Sequence, residues 1–177
     1  MDTTLNSYLV FKIGEENFGI NVSKVREIRE YTPPKPIPQT YPFVAGVTEY
    51  QEEIIPLVDT GVKFGMAPVN VTPSTCVIVL ELEDEQNLNS YKLGISIDSV
   101  SDVLEIKNSD MKNVTVEDYK PTYISSFYMY ESRLIYILDA DVIFNRKEVV
   151  ALMNTVEDAP VEKSVEEKQS GKKKAKL

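Results

Sequence analysis

The sequence predicts a mostly-β chain built as two small paired barrels with a short helix at its C-terminal end. Three observations carry this. First, the chain repeats itself. Phe18-Gly19-Ile20-Asn21-Val22 through Ile28 returns as Leu93-Gly94-Ile95-Ser96-Ile97 through Val103, at an offset of 75. Ile54 to Asp59 returns as Leu134 to Asp139 at an offset of 80, and Phe64 falls on Phe144. Second, short apolar runs and turn signals alternate every ~8–12 residues, the spacing of small barrels and sandwiches. Third, each copy alone is too short to enclose a large core, so two modules must pack on each other. A pair of modules has a seam, and seams commonly bind ligands and partners.

The elements follow in order. Leu9 to Ile13 and Phe18 to Val22 read as a hairpin turned at Gly14-Glu15-Glu16-Asn17. Val22, Val25 and Ile28 recur at intervals of three, which fits either a short helical turn or an irregular strand crossing. Thr32 to Pro42 holds five of the ten prolines and must be an extended surface loop. Phe43 to Tyr50 and Ile54 to Asp59 form a second hairpin around Gln51-Glu52-Glu53. The second copy opens with Thr75 to Leu82, an acidic turn over 83–90, Leu93 to Ile97 and Ser101 to Ile106. Lys107 to Tyr123 has little periodicity. Tyr123 to Tyr130 and Arg133 to Asp139 make the last hairpin. Asp141 to Val156 reads as an amphipathic helix with Val142, Val149, Val150, Met153 and Val156 on its buried stripe. Residues 157–177 are Lys/Glu-rich and low in apolar side chains, the composition of a disordered, solvated tail.

Charge and residue inventory exclude several functions. Net charge is −9, and residues 1–149 carry 23 acids against 13 bases. An acidic body repels phosphate backbones, which argues against nucleic acid as a partner. No secretory signal and no apolar run long enough to insert in a membrane is visible, which reads as cytoplasmic. There is no histidine, so the usual general base and metal ligand are missing. No cofactor motif is present, and the seven glycines form no phosphate-binding loop. An enzyme would have to work through Asp59, Asp98 or Asp139. All three close strands, where a carboxylate ordinarily accepts backbone N–H bonds. Cys76, the only cysteine, lies in an apolar run and reads as a small buried hydrophobe. Pro33-Pro34-Lys35-Pro36 fits a P-x-x-P pattern but reads first as a rigid loop. Val25, Val47, Val100 and Val103 read as core, with the alternative that a strand buried on one face leaves an apolar strip for a partner.

Several segments together resemble the CheW-like chemotaxis coupling proteins. They are Tyr8-Leu9-Val10-Phe11 with Ile13-Gly14, Phe18-Gly19-Ile20 and Val25-x-Glu27-Ile28, then Phe43-Val44-x-Gly46-Val47. Ile54 to Asp59 with Lys63-Phe64-Gly65, Leu93 to Leu104 and Arg133 to Asp139 continue the match over about residues 7–150. The resemblance implies two intertwined SH3-like five-stranded β-barrels within residues 1–156. One would span roughly 20–75 and the other 1–20 plus 76–145, with strands exchanged. It implies a non-catalytic adaptor between the helical tip of a chemoreceptor and the regulatory domain of a histidine kinase. The alternative is an SH3-like binding module outside chemotaxis. The implied receptor-facing positions are Val25, Glu27, Gly46, Gln51, Cys76 and Val103. One stretch departs from the pattern: Glu49-Tyr50-Gln51-Glu52 stands where the family usually has Asn-Leu-Arg-Gly. Gln51 cannot replace the charge or the bidentate fork of an arginine. Thr60-Gly61 likewise stands where Leu-Arg is usual.

Overall fold

The structure, a computed structural model, describes residues 2–84, 89–114 and 122–157. The strands are β1 (Leu5–Ile13), β2 (Glu16–Asn21), β3 (Val25–Glu30), β4 (Val44–Tyr50) and β5 (Glu53–Asp59). After helix α1 (Thr60–Lys63) come β6 (Cys76–Asp84), β7 (Asn89–Ile97), β8 (Ser99–Lys107), β9 (Lys112–Asn113), β10 (Ile124–Tyr130) and β11 (Arg133–Leu138). Helix α2 (Arg146–Glu157) ends the described chain. The three-residue spacing at 22–28 resolves into both readings: a 3₁₀ turn over Val22–Lys24 leads straight into β3.

Two sheets form, with orders β8-β1-β2-β11-β10-β9 and β3-β6-β7-β5-β4. The second contains five strands, and the first adds only the two-residue β9 to five. Each copy gives its first hairpin to one sheet and its remaining strands to the other. Thus β1-β2 sit with β8, β10 and β11, while β6-β7 sit with β3, β4 and β5. The expected split of the chain into 20–75 and 1–20 plus 76–145 therefore needs correction. One sheet takes residues 25–59 and 76–97, the other 5–21 and 99–138. The reason is that β3 and β8 leave the hairpins that precede them and pair with β6 and β1.

The repeat extends to register. Gly19 pairs with Val10 and Ile137; Gly94 pairs with Val79 and Leu57. An added Cβ would lie 3.0 Å from Ile137 Cδ1 at Gly19 and 2.9 Å from Val77 Cγ1 at Gly94, so both glycines let neighbouring side chains close over the strand. Strand irregularities recur too, between Val44 and Gly46 and again between Ile124 and Ser126. Asp59 N and Asp139 N donate at 2.8 Å to the carbonyls of Phe43 and Tyr123, positions related by the same offset of 80.

Alternation divides each strand between two cores. From β1, Leu9, Phe11 and Ile13 join the large cluster with Ile78, Leu80 and Leu82 of β6, which ties the two sheets together. Tyr8 and Val10 instead fill a cluster drawn from the six-stranded sheet. Val77 and Val79 of β6 do the same in the five-stranded sheet with Tyr50, Ile55 and Leu57. At its centre, the seam between modules is thus packed core. Helix α2 closes over that core with Val149 and Leu152. The expected stripe holds in part: Val149 is buried and Val156 half-buried, but Val142, Val150 and Met153 are exposed, and Glu148, Leu152 and Thr155 are buried in their place. Val142 belongs to a separate 3₁₀ turn and cannot set the phase of the helix that follows. The expected tail, beyond Glu157, lies outside the described residues.

Candidate functional site

The edge strands of the repeat, β3 and β8, carry exposed apolar residues at equivalent positions. Ile28 is 45% exposed and Val103, 75 residues later, is 63% exposed. Glu27 is exposed beside Ile28, on the same edge. Val25 differs from Val103. It is half-buried and packs against the shared core, as does Cys76 on the neighbouring strand β6. The Cys76 thiol donates to the Ser74 carbonyl at 3.3 Å, so this cysteine is neither fully buried nor beside an activating base.

The β4–β5 hairpin carries the altered turn. Gln51 and Glu52 both take left-handed backbone conformations, with φ of 46° and 65°. Glu131 and Ser132 repeat this in the β10–β11 hairpin, with φ of 47° and 65°. Two consecutive residues with positive φ match the type I′ turn, whose twist suits a two-residue hairpin. Gln51 and Glu52 project at the tip, and Glu49 is exposed on the strand leading to it. Tyr50 does not join them. Its side chain is buried in the interior cluster of the five-stranded sheet, which removes it from the contact surface expected of the turn. Gly46 is also buried; a Cβ there would collide with the Lys35 carbonyl oxygen, so glycine admits the proline-rich loop. That loop binds β4 through Lys35 N to Val47 O and Val47 N to Lys35 O, both 2.9 Å.

Electrostatics on this face are local pairs. Arg26 Nε lies 2.5 Å from Glu81 Oε2, and this guanidinium, with the Ser90 hydroxyl, holds the Glu81 carboxyl below its ordinary pKa. Arg29 Nη1 donates to the Glu49 carbonyl at 2.7 Å, joining β3 to β4. A cleft of about 330 Å³ opens there. A larger groove of about 500 Å³ runs between β5, β7 and α2, with Ile54, Pro56, Met153 and Val156 in its wall.

Sequence reasoning missed one buried charged group entirely. Lys63 Nζ lies 3.1 and 3.2 Å from the two oxygens of Glu148 and within 5.9 Å of the ring centres of Phe43, Tyr123 and Phe144. Glu148 also accepts from Asn145 N at 2.9 Å while Asn145 Oδ1 accepts from Glu148 N at 2.9 Å. This reciprocal pair is a capping box, and Asn145-x-x-Glu148 was its readable signal. The pairing of Glu148 with Lys63, 85 residues away, had none.

Two of the three strand-end carboxylates hold backbone. Asp59 accepts from Val62 N at 3.1 Å and from Val69 N at 3.2 Å, and Asp98 accepts from Gly14 N at 2.6 Å. The Asp139 carboxylate caps no N–H of the turn that follows it; there the Asp139 carbonyl accepts from Val142 N at 3.2 Å. Among the described residues, no group of three or more Cys, Asp or Glu side chains could hold a metal, and no helix is long and apolar enough to cross a membrane.

Comparison with known proteins agrees with this architecture. The family model described as CheW-like domain matches residues 7–148. A Chemotaxis protein CheW from Klebsiella aerogenes is 29% identical over 163 residues, covering 86% of this chain and 90% of the relative. One from Rhizobium meliloti is 28% identical over 142 residues, covering 79% and 88%. The crystal structure of the scaffolding protein TtCheW from Thermoanaerobacter tengcongensis superposes with a TM-score of 0.71 at 20% identity, over 82% of this chain and 96% of that one. With the family model matched across both copies of the repeat, the chain belongs to the CheW-like domain family.

Proposed function

We propose that this chain is a cytoplasmic, non-catalytic adaptor that joins the helical tip of a chemoreceptor to the regulatory domain of a chemotaxis histidine kinase. The observation that carries the reading is the match of the family model over residues 7–148, with relatives named Chemotaxis protein CheW covered over most of their length. The chemistry is consistent: two of the three strand-end carboxylates are engaged with backbone N–H groups, so they are poorly placed as acids or bases. In this reading the receptor meets the edge of β3 at Val25 and Glu27, with Cys76 behind it on β6, and the edge of β8 at Val103. Gly46 acts indirectly, by seating the loop against β4. Glu49, Gln51 and Glu52 form the part of the surface that sets this chain apart. A receptor carboxylate that sought an arginine at the hairpin tip would meet two acids and a neutral amide. Coupling to such a receptor is therefore weak, and the partner suited to this turn carries a Lys or Arg opposite it.

The test is direct binding of the full chain to a receptor cytoplasmic fragment and to the kinase regulatory domain from the same genome, by calorimetry. A complex with each, and a ternary complex on gel filtration, is expected. Failure to bind either partner overturns the adaptor reading.

A further inference from the structure

The two sheets differ at one telling position. On β8, Leu104 lies opposite Tyr8 and packs, half-buried, against the interior cluster, as do Tyr128 and Tyr130. On β3, the residue 75 positions earlier is Arg29, opposite Val77. A cation thus stands where the related sheet packs a leucine. Thr48 similarly stands where that sheet has Tyr128, 80 residues on. The missing apolar volume is matched by the cleft of about 330 Å³ between β3 and β4, whose wall includes Arg29, Thr32, Lys35, Thr48 and Ile54.

Arg29 is held but not neutralised. Its Nη1 donates to the Glu49 carbonyl, which fixes one corner of the guanidinium against β4. Among the described residues, no Asp or Glu side chain forms an ion pair with it, whereas Arg26, Arg133 and Arg146 each have one. A guanidinium carries five N–H donors in a planar fork that matches a carboxylate. Among the described residues, the only acid in the cleft wall is Glu49, whose carbonyl, not its carboxylate, meets Arg29.

The geometry points to a carboxylate-binding site: Arg29, with the Thr32 and Thr48 hydroxyls in the wall, takes the Asp or Glu side chain of a protein partner into the β3–β4 cleft. The choice of a protein partner rests on the adaptor reading above. The site supplies, from the neighbouring strand, a guanidinium that the hairpin tip at Gln51 lacks. Both the receptor tip and the kinase domain could offer the carboxylate, and the test separates them.

The first arm uses the full chain labelled with ¹⁵N and follows the arginine Nε–Hε signals during titration with blocked glutamate, with blocked glutamine as the uncharged control. The Arg29 signal moves with glutamate only, while those of the ion-paired Arg26 and Arg133 stay in place. An Arg29 signal that ignores glutamate, or answers both probes alike, overturns the site. The second arm measures binding of the receptor fragment and of the kinase regulatory domain to wild type, Arg29→Gln and Arg29→Lys. Arg29→Gln weakens one of the two by about tenfold or more, and Arg29→Lys recovers part of the loss. Arg29→Leu, which copies Leu104, melts with wild type and shows that the fold tolerates the change. Unchanged affinity of Arg29→Gln for both partners overturns the assignment to a partner carboxylate. If wild type binds neither partner while Arg29 answers glutamate, the adaptor reading fails and the carboxylate site stands.

Discussion

Replacing Lys63 with methionine should cost far more stability than its place in a four-residue helix suggests. The Lys63 and Glu148 side chains are only 12% and 10% exposed, and they meet through two contacts of 3.1 and 3.2 Å. Three aromatic rings surround the ammonium, so water cannot take over when it is removed. Breaking a buried pair by deleting one partner leaves an uncompensated charge and costs about 3–5 kcal/mol. Methionine keeps the length and fills the aromatic cage, so little of the loss comes from packing. The carboxylate it strands still accepts from Asn145 N. Adding Glu148→Gln on the Lys63→Met background removes that stranded charge while leaving an acceptor for Asn145. The double variant should therefore recover most of the loss, about 2–3 kcal/mol, a strong coupling by the standard of neighbouring residues. Urea unfolding of wild type, both single variants and the double variant measures it. A Lys63→Met loss below about 1 kcal/mol, the worth of an exposed pair, would refute the claim that this charge is buried. So would a double variant no more stable than Lys63→Met.

Three further outcomes are expected. Glu52→Gly should raise the unfolding midpoint by the equivalent of about 0.5–1 kcal/mol, because glycine relieves the left-handed cost at φ 65° at some expense in chain entropy; with Gln51→Arg added it should tighten receptor-fragment binding about tenfold, and a loss of affinity would show that the turn does not face the receptor. Val103→Asp should leave the melting curve near wild type and abolish receptor binding, whereas Val25→Asp should also destabilise the fold by about 1–3 kcal/mol, since it reaches the shared core; equal melting curves for the two would contradict their different burial. Burial raises the phenol pKa values of Tyr8, Tyr91 and Tyr123, with nearby carboxylates adding to it at the last two, so the folded chain keeps protons that the unfolded chain releases; stability is full below about pH 10 and falls as pH rises past it, and urea midpoints that stay flat from pH 9 to 11 would refute this.

The elements were legible because the chain writes each of them twice. Gly19 and Gly94 mark the two strands over which neighbouring side chains close, and the offsets of 75 and 80 reappear in strand register. Which hairpin pairs with which strands was not legible. An internal repeat says what is alike, and alike segments can pair within a copy or between copies with the same alternation. The helix stripe was read only in part, at Val149 and Val156, because a buried glutamate does not score as apolar; only its lysine partner from α1 makes burial tolerable. The site followed the same division. The tip of the 49–52 turn could be placed on a surface from the pattern, whereas Val103, read first as core, was pointed to as a contact only by the family resemblance and is 63% exposed. Arg29 could not be placed, since its meaning depends on the cleft that lies where a leucine equivalent to Leu104 would otherwise pack.

The crossed arrangement of the two copies also shapes how the protein must be made. As the chain leaves the ribosome, β1 and β2 emerge as a hairpin with both outer edges unpaired. The strand that covers β1 starts at Ser99, and the one that covers β2 starts at Arg133. More than half of the chain must be synthesised before either edge is protected. During that interval Leu9, Phe11 and Phe18 have no completed core to enter. Unpaired edges with apolar faces invite association between nascent chains. A half-length fragment cut between the copies would carry the same exposed edges permanently, so neither half is a folding unit. Slow, all-or-none folding dominated by distant pairings is the expected kinetic signature of this topology.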